Sequence, residues 1–187
     1  MRSTLALSLL LLAAPAFAEA PKPATPPKPA SQEQLFAQLQ KAESPEDAHP
    51  IEQKLAAMFR VSGSPSVDLL MVRAAAAQSA NDNKTARQLV EAVTNIAPNY
   101  AEGWHTRAEM EQAADDDTAA LVSLQKTVLL NPRHFAALTE LGNMLEDYGD
   151  KAGALKLYRR ALELDPQLEG ASRKIRELTQ SVEGRDI

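Results

Sequence analysis

The sequence predicts an all-α chain in which helix–turn–helix units stack into an α-solenoid with a C-terminal capping helix. Three observations carry this reading. First, Pro98, Pro132 and Pro166 stand 34 residues apart. Ala86/Ala120/Ala154, Leu70/Trp104/Leu138, Ala74/Ala108/Gly142 and the turn residues Asn81/Asp115/Gly149 keep the same interval. Proline is only about 5% of average sequence, so a proline register shared with four other columns marks an internal repeat. Second, apolar residues inside each period recur at the i, i+3, i+4 spacing of a helix face. Leu138, Leu141, Gly142 and Leu145 share one face, and Ala154, Tyr158, Ala161 and Leu162 share another. Third, aromatic residues are only 4% of the chain while Ala and Leu dominate, which suits closely packed helices better than a sheet.

The pattern is fullest from Phe135 to Pro166, two short amphipathic helices joined by a turn at Tyr148-Gly149-Asp150. Gly142, Ala154 and Ala161 are small and let the two helices approach closely. Pro166 ends the second helix, because it lacks an N–H and disfavours helical geometry in the residue before it. A unit with apolar residues on both sides needs neighbours of its own kind. A helix–turn–helix period of this length, with small residues at fixed places, an aromatic or Leu and a terminal Pro, resembles the tetratricopeptide repeat. The resemblance covers Val67 to Pro166 plus a closing helix. It implies repeats at 67–100, 101–134 and 135–168, and a cap helix with tail at 169–187. It also implies a scaffold that holds a peptide or extended protein segment on its concave face, using the first helix of each pair. By register that face comprises Asp68, Met71, Ala75 and Gln78, then Glu102, His105, Glu109 and Gln112, then Thr139, Asn143 and Glu146. Some members clamp a terminal carboxylate with Lys, Arg and Asn. Only Asn143 and Arg173 match here, so no such clamp is implied.

In chain order, residues 1–18 read as a secretory signal: Arg2, an apolar run from Leu5 to Ala14, and an Ala16-Phe17-Ala18 cleavage site. The apolar run is too short for a membrane-spanning helix, which needs about 20 residues. The expected product is a periplasmic chain beginning at Glu19. Residues 19–31 are a Pro-rich linker with polyproline-like character. Residues 32–66 read as a helical pair, either a divergent repeat or an N-terminal cap. Leu35, Phe36 and Leu39 give one apolar face, and Leu55, Ala56, Met58 and Phe59 give the second. Ser44-Pro45-Glu46-Asp47 is a helix start, with a capping hydroxyl, a first-turn proline and acids near the positive end. In the repeats, Arg73 and Arg107 stand where the family pattern expects Leu, and Glu111 where a large apolar residue is usual. Pairing with acids, or stems laid along the core, would accommodate the arginines. After Pro166, Leu168, Ile175 and Leu178 line one side of a more polar helix, as expected of the cap that covers a solenoid's last apolar face.

The chain has no cysteine and a formal charge of −5. A disulfide framework and a thiolate metal site are excluded, and the acidity disfavours nucleic acid as a partner. No cofactor is expected, since no Gly-rich phosphate loop, nucleophile elbow or zinc-type His pair occurs. His105 and Glu109, one helical turn apart, are the one candidate acid/base or metal pair. With no second His nearby in sequence, and His49 and His134 in turns, they read as a solvated surface pair. Asp115-Asp116-Asp117 lacks the alternating oxygens of a calcium loop and reads as a helix cap. Asp68, Glu102, Glu109 and Glu146 give the expected groove an acidic lining, so the expected partner is a basic or amphipathic protein segment. A self-associating envelope module is the alternative; an enzyme has no residue set to support it.

Overall fold

The computed structural model describes residues 30–184. The expected export signal and nearly all of the Pro-rich linker lie outside the described residues. Among those described there are nine α-helices and no strand. They are α1 (Gln32–Leu39), α2 (Pro45–Phe59), α3 (Pro65–Ser79), α4 (Asn83–Ile96), α5 (Ala101–Gln112), α6 (Asp117–Leu130), α7 (Phe135–Asp147), α8 (Lys151–Leu164) and α9 (Ala171–Glu183). From α3 onward each helix packs chiefly on its sequence neighbours, giving a one-dimensional stack. None of these helices is long and apolar enough to cross a membrane.

The repeat period is written into the backbone. Asn81, Asp115 and Gly149 all adopt left-handed conformations, with φ of 59°, 58° and 85°. The amide of the aspartate that follows each one donates to the carbonyl five residues back: Asp82 to Ala77, Asp116 to Glu111 and Asp150 to Leu145, at 2.8–2.9 Å. This satisfies carbonyls that the ending helix leaves free. The same three aspartates then cap the next helix, accepting from the amides of Thr85, Ala119 and Gly153 at 3.1, 3.2 and 2.9 Å. One dipeptide thus closes a helix and opens the next, in three copies. Asp116 plays the capping role expected of its acidic run.

Packing between the helices of each pair follows the same register with exchanged volumes. Ala74 shares a buried cluster with Val90, and Ala108 shares one with Leu124. In the third unit the pair is Gly142 and Tyr158. The departures in the second repeat compensate one another. Glu111 accepts from Arg107 Nε at 2.7 Å and from Ser123 Oγ at 2.6 Å, joining α5 to α6. Arg107 also lies 5.4 Å over the Trp104 ring. At the C-terminal end, Leu178 is buried with Ala154, Leu155 and Tyr158, and Ile175 packs against them, so α9 covers the last repeat.

The first two helices depart from a simple stack. Ser31 and Ser44 cap α1 and α2 through their hydroxyls. The apolar faces of this pair then gather around Phe135 of α7, with Leu164 and Leu168 packed alongside. This pair, read from the sequence as a divergent repeat or an N-terminal cap, folds back onto the third repeat. Gly63, at φ 81°, lies in the short connection to α3. Polar ties fix the docking: Gln40 Nε2 donates to the Glu163 carbonyl at 3.1 Å, and Gln167 Nε2 to the Ala42 carbonyl at 3.0 Å. Arg133 pairs with Glu33 and lies 3.7 Å over the Phe36 ring.

Asp165, at the C-terminal end of α8, is wholly buried beneath this pair. Its Oδ1 accepts from the Gln167 amide at 3.1 Å, while Oδ2 meets no N–H or O–H donor. Burial, and then the neighbouring carboxyl of Glu52 on α2, push Asp165 up to about 7.

Candidate binding groove

The folded-back pair walls off a cavity of about 700 Å³. Its other walls are α3, α5 and the start of α7. Phe59, Met71, Val72, Ala75 and Phe135 supply an apolar surface; Asp68, Glu102, Glu109 and Glu140 supply carboxylates. Among the described residues lining it, Arg60 is the one Lys or Arg side chain. Tyr100 Oη donates to the Arg60 carbonyl at 2.7 Å and pins the end of α2 to the start of α5.

The floor of the cavity is a chain of polar contacts. His134 is the N-cap of α7, its Nδ1 accepting from the Ala137 amide at 3.2 Å. The imidazole proton must therefore sit on Nε2, which donates to Glu102 Oε2 at 3.1 Å. Phe59 stacks on the same ring, centroids 5.0 Å apart. His105 Nδ1 stands 3.9 Å from Glu102 Oε2, and its Nε2 lies 3.1 Å from both oxygens of Glu140. Burial lowers the His105 pKa, but the Glu140 hydrogen bond and the surrounding carboxylates outweigh it and raise it above its ordinary value. Burial raises Glu102, yet the His134 hydrogen bond and nearby cations hold it below the usual range. Glu109 is shifted up, first by burial and then by Glu140 and Glu102 despite His105.

These contacts correct the reading of His105 as a solvated residue, while Glu109 beside it is exposed. His105 is only 7% exposed and His134 3%, and their ring centroids are 4.4 Å apart. His134 lies 29 positions along the chain from His105, which hid the pairing from any local search. The repeat period brings it back, because it seats the entry to α7 beside α5.

Comparison with known proteins places the architecture. The family model for the tetratricopeptide repeat matches residues 135–168. A TPR repeat-containing protein of Rhizobium etli is 27% identical over 152 residues, covering 81% of this chain and 74% of the relative. Residues 135–168 match the tetratricopeptide repeat, and the chain has the fold of tetratricopeptide repeat structures. Among solved structures, the first TPR of Spaghetti (RPAP3) bound to the HSP90 peptide SRMEEVD superposes with a TM-score of 0.56 at 19% identity, covering 63% of this chain and 93% of that one. The Yersinia enterocolitica type III secretion chaperone SycD, in complex with a peptide of the translocator YopD, gives 0.55 at 14% identity, covering 63% and 95%. MamA gives 0.56 at 18% identity, covering 73% and 77%.

Seven of the positions expected by TPR register line the cavity: Asp68, Met71, Ala75, Gln78, Glu102, His105 and Glu109. Gln112 and Asn143 instead line a separate hollow of about 500 Å³ beside Met144 and Tyr148. Thr139 and Glu146 line neither. The Thr139 hydroxyl donates to the Phe135 carbonyl at 2.9 Å, and Glu146 accepts from Lys174 Nζ at 2.9 Å and Tyr158 Oη at 3.1 Å. Asn143 accepts from Tyr158 Oη at 2.6 Å, and Arg173 stands beside Glu177. Sequence reasoning missed Phe59, Arg60, Tyr100, His134, Phe135 and Glu140. The column Tyr100/His134/Leu168, just ahead of each first helix or the cap, was the available signal.

Proposed function

We propose that this chain is an exported interaction scaffold that holds an extended, basic or amphipathic protein segment in the groove between α2, α3, α5 and α7. The observation that carries the reading is the lining: an apolar strip beside four carboxylates, with Arg60 as the single lining Lys or Arg among the described residues. A segment alternating apolar and basic residues would match both surfaces. TPR structures seen with an HSP90 peptide and with a translocator peptide support the general mode on this fold. The signal-like first eighteen residues support a periplasmic site of action, reached by cleavage between Ala18 and Glu19.

The test is affinity for a partner segment captured by cross-linking in the native envelope and resynthesised as a peptide. Exposed charge pairs are screened beyond about 10 Å at 0.1 M salt, so binding should weaken as salt rises. Met71→Lys and Glu109→Lys should weaken it further, while Glu91→Lys and Glu163→Lys, on the second helices, should not. Equal binding by all four variants contradicts the groove.

A further inference from the structure

The first-helix positions of the repeats do not require histidine or glutamate at these places. The register equivalents of His105 are Met71 and Thr139, and those of Glu109 are Ala75 and Asn143. The polar cluster is therefore an addition to the fold, local to the junction of the second and third repeats. Two groups of donor atoms meet there, each within 4.8 Å of one another: Glu102/His105/His134 and His105/Glu109/Glu140.

Hydrogen bonding decides between them. Capping α7 commits His134 Nδ1 as an acceptor, so its Nε2 carries a proton and has no lone pair for an ion. That proton is given to Glu102, whose carboxylate also faces His105 Nδ1. His105 Nε2 donates its proton to Glu140 at 3.1 Å at the edge of the cavity, while Glu102, 3.9 Å from Nδ1, stands behind the ring. A cation can take the place of that proton, between the imidazole nitrogen and the two carboxylate oxygens. A carboxylate behind a ligating histidine is also the arrangement that orients and strengthens such ligands.

We propose that His105 Nε2 and the carboxylates of Glu109 and Glu140 form a binding site for one divalent transition-metal ion of the zinc type, with Glu102 and His134 orienting the His105 ring. Imidazole nitrogen with carboxylate oxygen suits such ions. Around a tetrahedral ion with bonds of about 2 Å the donors stand about 3.3 Å apart, so side-chain adjustment alone brings these three into place. The adjoining cavity leaves room for water or a partner's side chain to complete the shell. The site stands independently of the groove's role in peptide binding.

Zinc ion alone, added to the purified full chain and followed by calorimetry and a thermal melt, tests it. One equivalent should bind and raise the melting temperature. Glu109→Gln and Glu140→Gln should each weaken binding about tenfold or more, by the usual cost of disturbing a metal site. His49→Gln, at an exposed histidine on α2, should change nothing. Glu109→Gln, whose residue is exposed at the rim, keeps the test meaningful if the His105 environment proves sensitive. Cobalt(II) substitution gives a second readout, with visible bands that shift in Glu140→Gln. No stoichiometric zinc binding overturns the proposal. So does binding unaffected by both glutamate variants, or binding lost only in His134→Asn, which would mark the other donor set.

Discussion

Gly142 lies against the ring of Tyr158: a Cβ added at position 142 would stand 3.0 Å from Tyr158 Cε1 and 3.2 Å from Cζ. The third repeat fills with a tyrosine the volume that the first two fill with Ala74/Val90 and Ala108/Leu124. Gly142→Leu should therefore overpack the contact and destabilise by about 1–3 kcal/mol. Gly142→Ala with Tyr158→Leu recreates the second repeat's pair, and its cost should fall short of the sum of the single changes, because contacting residues couple. Denaturant unfolding of the wild type, Gly142→Leu, Gly142→Ala, Tyr158→Leu and the double variant checks both statements; additive costs would mean that the two sites do not share one contact.

Asp165 predicts a pH dependence. Its carboxyl has an ordinary value of 3.8 and sits at about 7 in the fold. Between those values the folded chain holds a proton that the unfolded chain has released, so stability falls as pH rises through the window. The contribution is full below about pH 4 and gone above about pH 7. His105 and Glu102 titrate as well, so the informative quantity is the difference in melting temperature between the wild type and Asp165→Asn. That difference should move toward the variant from about pH 4 to about pH 7. A flat difference would show that the buried carboxyl is not shifted.

The cap offers a cleaner test of the stack. Leu178 is buried against α8, and Glu177 on the same helix is exposed. Leu178→Asp should lower the melting temperature strongly, because it buries an unpaired charge. Glu177→Ala should leave it nearly unchanged, its ion pair with Arg173 being exposed. Circular dichroism melts of both variants suffice, and equal melting would remove α9 from its capping role.

Export is tested by mass. The periplasmic fraction should contain a chain whose intact mass begins at Glu19; retention of Met1 to Ala18 there would overturn the signal-peptide reading.

The repeat architecture was legible because each column answers a local backbone need. Asn81, Asp115 and Gly149 are residues that tolerate a left-handed turn, and the aspartates after them are residues that cap. The docking of α1 and α2 was not legible. Leu35, Phe36 and Leu55 announce an apolar face, but nothing in their spacing names Phe135 and Leu168 as its target. Those two residues also fit the repeat pattern without a partner. The candidate site was legible in half: Glu102, His105 and Glu109 share a helix, whereas His134 and Glu140 reach them across a repeat boundary. Burial is a property of the stack, so reading His105 from its own helix placed it at the surface.

The central claim is that the groove between α2, α3, α5 and α7 holds a partner's extended segment. Site-specific photo-crosslinking in the native envelope tests it most directly, with the reactive group placed at Met71 or Gln78 and, as a control, at the exposed Leu129 of α6. The account predicts adducts from Met71 and Gln78 that map to one contiguous stretch of another protein carrying basic and apolar residues, and no such adduct from Leu129. Identical adducts from Leu129, or adducts from Met71 only to a second copy of this chain, would contradict it.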